Sequence, residues 1–145
     1  MGANRMSRLF TELSKSILDA EEKVLTTGEF SDITINDIHV IDAVGNEEAR
    51  PSSVVAKRLG VTMGTLTKAV DGLVKKQYVQ RTRSENDKRL VLLSLLPKGL
   101  KVFKMHAEFH DRMMDAVLAQ FAPEETLILE RGLDSLKKYL VNGLA

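Results

Sequence analysis

The chain has 145 residues, 43% apolar and 28% charged, which suits one soluble globular domain with a sizeable core. It contains no cysteine, and this excludes disulfides, thiolate metal sites and thiol redox switches. Net charge is only +1, yet residues 57–104 hold twelve Lys or Arg against three acids, a local +9 against −8 in the remainder.

Leu9, Leu13, Ile17, Ala20 and Val24 keep a helical spacing and predict a first helix from Ser7 to about Thr27, stopped by Gly28. Ile35, Ile38, Ile41 and Val44 predict a second, closed by Gly45. Pro51–Leu59 reads as a short third helix with Val54, Val55, Ala56 and Leu59 inward and Gly60 at its end. Thr62 is a good N-cap for a fourth helix, which runs to about Lys76 with Leu66, Ala69, Val70 and Leu73 on its apolar side. Two β-rich runs, Tyr78–Arg83 and Lys88–Leu95, flank the polar turn Ser84–Asp87 and predict a hairpin. Pro97 suits the first position of a fifth helix that keeps its stripe to Phe121. Pro123, Glu124 and Glu125 open a sixth, with Leu129, Leu133, Leu136 and Leu140 on one side.

Two short helices joined at Gly60, followed by a basic hairpin, describe a winged helix-turn-helix. The expected fold is mainly α with a small β-hairpin wing and long terminal helices. It forms a single domain over 1–145, with 7–30 and 97–145 as dimerisation helices and 34–96 as the DNA-binding part. The outer helices carry more apolar surface than one small domain covers, so a two-fold homodimer is expected. Its partner would be an inverted repeat in double-stranded DNA. No apolar run approaches the ~20 residues of a membrane span, and the first ten residues lack a signal-peptide core, so the expected location is cytoplasmic, with no membrane partner.

With the apolar side of the fourth helix turned inward, Gly64, Thr65, Thr67, Lys68, Asp71 and Lys75 lie outward. Small hydroxyl residues near a helix start can reach base edges or phosphates, and lysines neutralise phosphates. The candidate contacts are Ser53, Thr62, Gly64, Thr65, Thr67, Lys68 and Lys75, with Arg81, Arg83, Ser84, Asp87, Lys88 and Arg89 on the hairpin. An Arg at a wing tip suits a narrow, electronegative minor groove, and Asp87 is placed to hold Arg89. A winged helix used only for protein contact would not need this basic surface. No Ser-His-Asp, paired-carboxylate or phosphate-loop arrangement stands out, so an enzyme is not expected.

The run LGVTMGTLTKAVDGLVKKQYVQRTRSENDKRLVLLSLLPKG resembles the core of the MarR family, with its Arg–x5–Asp–x–Arg hallmark as Arg81, Asp87 and Arg89. The resemblance implies a recognition helix at Thr62–Lys76, a minor-groove Arg89 and a role in transcription regulation. Gln77 and Leu96 depart from the Gly and Thr common at those positions. The stretches EEKVLTTGEFSDITINDIHVIDAVG, VTMGTLT and KMHAEFHDRM are similar to the FabT branch, repressors of fatty-acid-biosynthesis genes tightened on DNA by long-chain acyl carriers. That similarity implies acyl carrier protein as a partner and an acyl tunnel, for which Phe30, Ile33, Ile38, Ile41, Phe103, Phe109 and Met113 are candidates. Taken singly, each of these is an ordinary core residue.

His106 and His110 are four apart on the fifth helix and could share one Zn²⁺. With Glu21 and His39 they resemble the site of the zinc-responsive MarR branch, and imidazole ligands would favour zinc. Histidines on an apolar stripe are ordinarily hydrogen-bonded packing residues. The expectation is therefore no metal and no cofactor, with an acyl chain as the effector; the alternatives are zinc and another small apolar ligand.

Overall fold

A computed structural model describes residues 2–143 of the chain, which divides into two units, Met1–Ala107 and Glu108–Ala145. The elements are α1 (Gly2–Leu25), α2 (Ile35–Val44), β1 (Arg50–Pro51), α3 (Ser52–Leu59), α4 (Met63–Lys75), β2 (Val79–Arg83), β3 (Val91–Leu95), α5 (Pro97–Leu118) and α6 (Pro123–Asn142). The six expected helices and the hairpin are all present. The wing is a three-stranded antiparallel sheet in the order β1-β3-β2, because Arg50 and Pro51 pair with Leu93 and Leu92. No alternating pattern announces so short an edge strand, and Pro is acceptable there because an edge needs no donor on its outer side.

Local chemistry sets the helix ends of the first unit. Thr34 caps α2 by accepting from the Asp37 N–H at 3.2 Å, and Asp37 returns the bond to the Thr34 N–H at 3.0 Å. Gly60 adopts φ 68°, which lets the chain turn tightly from α3 into α4. Gln77 does the same at the end of α4 with φ 64° and has a Cβ to accommodate, at a cost of about 1–2 kcal/mol. Two bonds hold it there: Gln77 N–H to Val74 C=O at 3.1 Å and Tyr78 N–H to Leu73 C=O at 2.9 Å.

The core of the first unit joins Ile38, Ile41 and Val44 of α2 to Val55 of α3, Leu66, Val70 and Leu73 of α4, and Leu93 of β3, all nearly solvent-free. Each such aliphatic side chain contributes roughly 1.5–3 kcal/mol by leaving water. Val54, expected inward, is instead 43% exposed. On an eight-residue helix only one side meets the core, and Val55 and Ala56 occupy it. Tyr78 anchors the wing root, where its hydroxyl donates to Asp32 at 2.6 Å and the Lys98 ammonium lies 4.5 Å from its ring centre. The bond from Tyr78 is the main reason the Asp32 carboxyl sits below its ordinary pKa, with Lys98 and Lys76 assisting.

In the second unit, the end of α5 turns into α6 through 119–122. Pro123 starts α6, and the Glu125 carboxylate accepts from the Ala122 N–H at 2.8 Å. No described residue of α6 is buried within one chain, and Leu127, Ile128, Leu133, Leu140 and Val141 are exposed. On α1 Met6, Leu9, Phe10, Leu13 and Leu18 are exposed in the same way.

Candidate DNA-binding surface and histidine cluster

The start of α4 is built by Thr62. Its hydroxyl oxygen accepts the Thr65 N–H at 3.2 Å and donates to the Thr65 hydroxyl at 3.0 Å. Thr67 donates back to the Met63 carbonyl at 2.8 Å, an ordinary back-bond of helical threonine. Gly64 has open space where a Cβ would stand. Thr62, Gly64, Thr65, Thr67, Lys68 and Lys75 are all exposed, as is Ser53 on α3. Val61 and Met63, absent from the sequence-based set, are also exposed, at 38% and 45%.

The wing turn is tied by its own polar groups. The Arg83 guanidinium donates to the Lys88 carbonyl at 2.8 Å, and the Asp87 N–H reaches the Ser84 hydroxyl at 3.4 Å. Leu90 N–H bonds to Asp87 C=O at 2.9 Å, so β3 begins at Val91 rather than at Lys88. Asp87 does hold Arg89, but through its backbone: the carboxylate accepts the Arg89 N–H at 3.0 Å. That bond shapes the turn, and Lys88 and Arg89 project from it exposed.

Arg81 occupies a different position from the other wing cations. Its guanidinium pairs with Asp71 of α4 at 2.6 Å, which ties wing to helix. Asp71 was legible only as an outward acid among bases. Its partner ten residues away becomes visible once β2 folds back beside α4.

The sequence-predicted ligands Glu21, His39 and His106 come together from α1, α2 and α5. Glu21 is 2% exposed. One of its oxygens lies 2.8 Å from His106 Nε2, the other 3.3 Å from His39 Nε2. His106 Nδ1 faces the Asp42 carboxylate at 3.3 Å. An imidazole with both nitrogens on carboxylates satisfies both only as a double donor. Accordingly the His106 pKa is raised, chiefly by Asp42 and further by Glu21, against the opposing effect of burial. A buried carboxylate with two imidazoles would fit a divalent cation, and it equally makes a closed hydrogen-bond network. His110 lies one turn further along α5, in the second unit, where its ring meets Phe109 edge-on at 5.4 Å.

Of the candidate acyl residues, Phe30, Ile33, Ile38 and Ile41 are buried in the first unit and Phe103 is half-buried. Phe109 and Met113 are half-buried in the second unit.

A MarR family model matches residues 31–90. FabT of Streptococcus pneumoniae, solved in complex with DNA, superposes with a TM-score of 0.91 and 34% identity, covering 97% of this chain and 98% of that one. MepR of S. aureus, also solved with DNA, shares the fold, with a TM-score of 0.73, 22% identity, and coverage of 93% and 97%. YfiV of Bacillus subtilis, an uncharacterized HTH-type transcriptional regulator, is 27% identical over 92% of this chain and 93% of its own length.

Proposed function

The chain belongs to the MarR family, and on that premise we propose that it represses fatty-acid-biosynthesis genes, with long-chain acyl carrier protein as corepressor. It is a DNA-binding transcriptional regulator and not an enzyme. The finer reading rests on one observation, the likeness to FabT over nearly the whole of both chains, outer helices included.

The working form is a homodimer. The exposed apolar residues of α1 and α6 support it, and light scattering should give twice the chain mass. Two recognition helices related by a two-fold axis would meet half-sites about one helical turn (~34 Å) apart. Ser53, Thr62, Gly64, Thr65, Thr67, Lys68 and Lys75 meet the major groove and its phosphates in this reading. Arg83, Ser84, Lys88 and Arg89 meet the minor groove, while Arg81 and Asp87 hold the wing in shape. Arg89→Ala should weaken operator binding by ~1–3 kcal/mol and most strongly beside A·T-rich flanks. Lys75→Ala should weaken all sequences alike and lower the salt slope by about one. Normal operator affinity in both variants, measured by fluorescence anisotropy, would sink this assignment.

The acyl chain acts by linkage. Each buried methylene brings ~0.8 kcal/mol, but Phe30, Ile33, Ile38 and Ile41 already pack tightly, so part of that energy goes into parting them. Only the difference between DNA-competent and other shapes appears as coupling, ~1–3 kcal/mol or roughly 5–150-fold in affinity. Operator titrations with long-chain acyl carrier protein, unacylated carrier and no carrier should separate by that factor. Three identical curves would remove the fatty-acid assignment and leave DNA binding standing. The cluster of Glu21, His39 and His106 favours a second reading, a zinc-responsive repressor with these residues as ligands, joined by His110 as the family resemblance implies.

A further inference from the structure

We propose that Val61 and Met63 read thymine methyl groups, so that discrimination by the start of α4 rests on apolar contact rather than on hydrogen bonds to base edges. The inference rests on the DNA-binding reading above and adds to it which base feature is recognised. Four side chains, Arg, Lys, Asn and Gln, make the strong bidentate contacts to bases. None occurs between Gly60 and Thr67, the stretch GVTMGTLT.

Of the three hydroxyls in that stretch, Thr62 and Thr67 spend their protons inside the protein, and Thr65 accepts from Thr62. Thr62 gives its proton to the Thr65 hydroxyl and its lone pair to the Thr65 N–H. Thr67 gives its proton to the Met63 carbonyl. Thr62 and Thr67 therefore have a methyl group and acceptor lone pairs to offer, but no donor. Gly64 offers nothing, leaving room beside it. Val61 and Met63 are the large side chains at this tip, and each exposes more than a third of its surface.

Charge identifies the occupant. Lys57 and Arg58 at the end of α3 and Lys68 on α4 come within five residues of Val61 or Met63 along the chain, and all three are exposed. Exposed cations before and after the apolar residues along the chain suit phosphates beside the floor of a major groove, where the one apolar feature is the C5-methyl of thymine. An apolar protein partner would gain nothing from those cations.

The test uses the full chain and a duplex enriched from random DNA by binding to it. A copy of that duplex carries deoxyuridine for thymidine, which removes only the methyl groups and keeps every hydrogen-bonding group. Each contacted methyl is worth about fourfold in affinity, so the uridine copy should bind roughly four- to fifteenfold more weakly. The double variant Val61→Ala, Met63→Ala should lose a similar factor on the thymidine duplex and bind both duplexes equally. Its urea midpoint should stay close to that of the unaltered chain, as expected for two exposed positions, which verifies its fold. Equal binding of both duplexes by the unaltered chain would overturn the inference while leaving DNA binding intact. A thymidine preference that survives in the double variant would overturn the assignment to these two residues. Failure of the unaltered chain to bind any duplex at low salt would overturn both this inference and the reading beneath it.

Discussion

Gly99→Ala is expected to lower the free energy of unfolding by about 3 kcal/mol, at the upper end of overpacking costs. A Cβ on Gly99 would lie 2.2 Å from the Tyr78 carbonyl oxygen and 3.1 Å from its carbon. That obstacle is backbone, and it cannot swing aside as a side chain would. The same carbonyl accepts the Leu96 N–H at 3.0 Å, and the Tyr78 ring is buried, so the root of the wing is held from both ends. Relief requires moving the start of α5 away from β2. Gly72→Ala provides the contrast. Gly72 lies inside α4 with nothing within 4 Å of its would-be Cβ, so alanine should gain ~0.5–1 kcal/mol of helix propensity. Urea denaturation of the two variants should move the midpoint in opposite directions. A neutral Gly99→Ala would mean that α5 does not approach the wing root as closely as the geometry has it.

Glu21→Ala should cost a similar ~3 kcal/mol, because it leaves His106 charged or forces it to lose its proton inside the unit. The pH dependence gives the sign. The folded pKa of His106 is raised above its ordinary 6.5, chiefly by Asp42 and then by Glu21. Its contribution to stability is therefore fully present below about 6.5 and is lost as pH rises through the folded value. The unaltered chain should lose stability over that rise, and Glu21→Ala, with one carboxylate fewer on the imidazole, should lose less. A melting temperature measured across pH tests this directly: equal slopes would mean that Glu21 does not bear on His106. The same melts with added zinc separate the two effector readings. A zinc-dependent rise that Glu21→Ala and His39→Ala both abolish would favour the metal-responsive reading over the acyl one.

The sequence by itself determined the features whose cause lies within a few residues. Thr62, Gly45, Gly60 and Pro123 mark helix ends through caps and turns, and periodicity gave α2 and α4 their inner faces. The basic block and the Arg81, Asp87, Arg89 spacing pointed to the DNA-binding role before any contact was known. Only the tertiary structure could decide what depends on partners far along the chain. β1 exists because Arg50 and Pro51 meet β3, some forty residues on, and two residues carry no period of their own. The tie from Arg81 to Asp71 forms only because β2 folds back beside α4, and Asp87 accepts the backbone N–H of Arg89. Gln77 took a left-handed conformation that local preference opposes, because Tyr78 beside it is locked into the core and the chain must reach it. Glu21 meets His39 and His106 across 18 and 85 residues, and burial of that carboxylate, invisible in sequence, makes the cluster matter to stability.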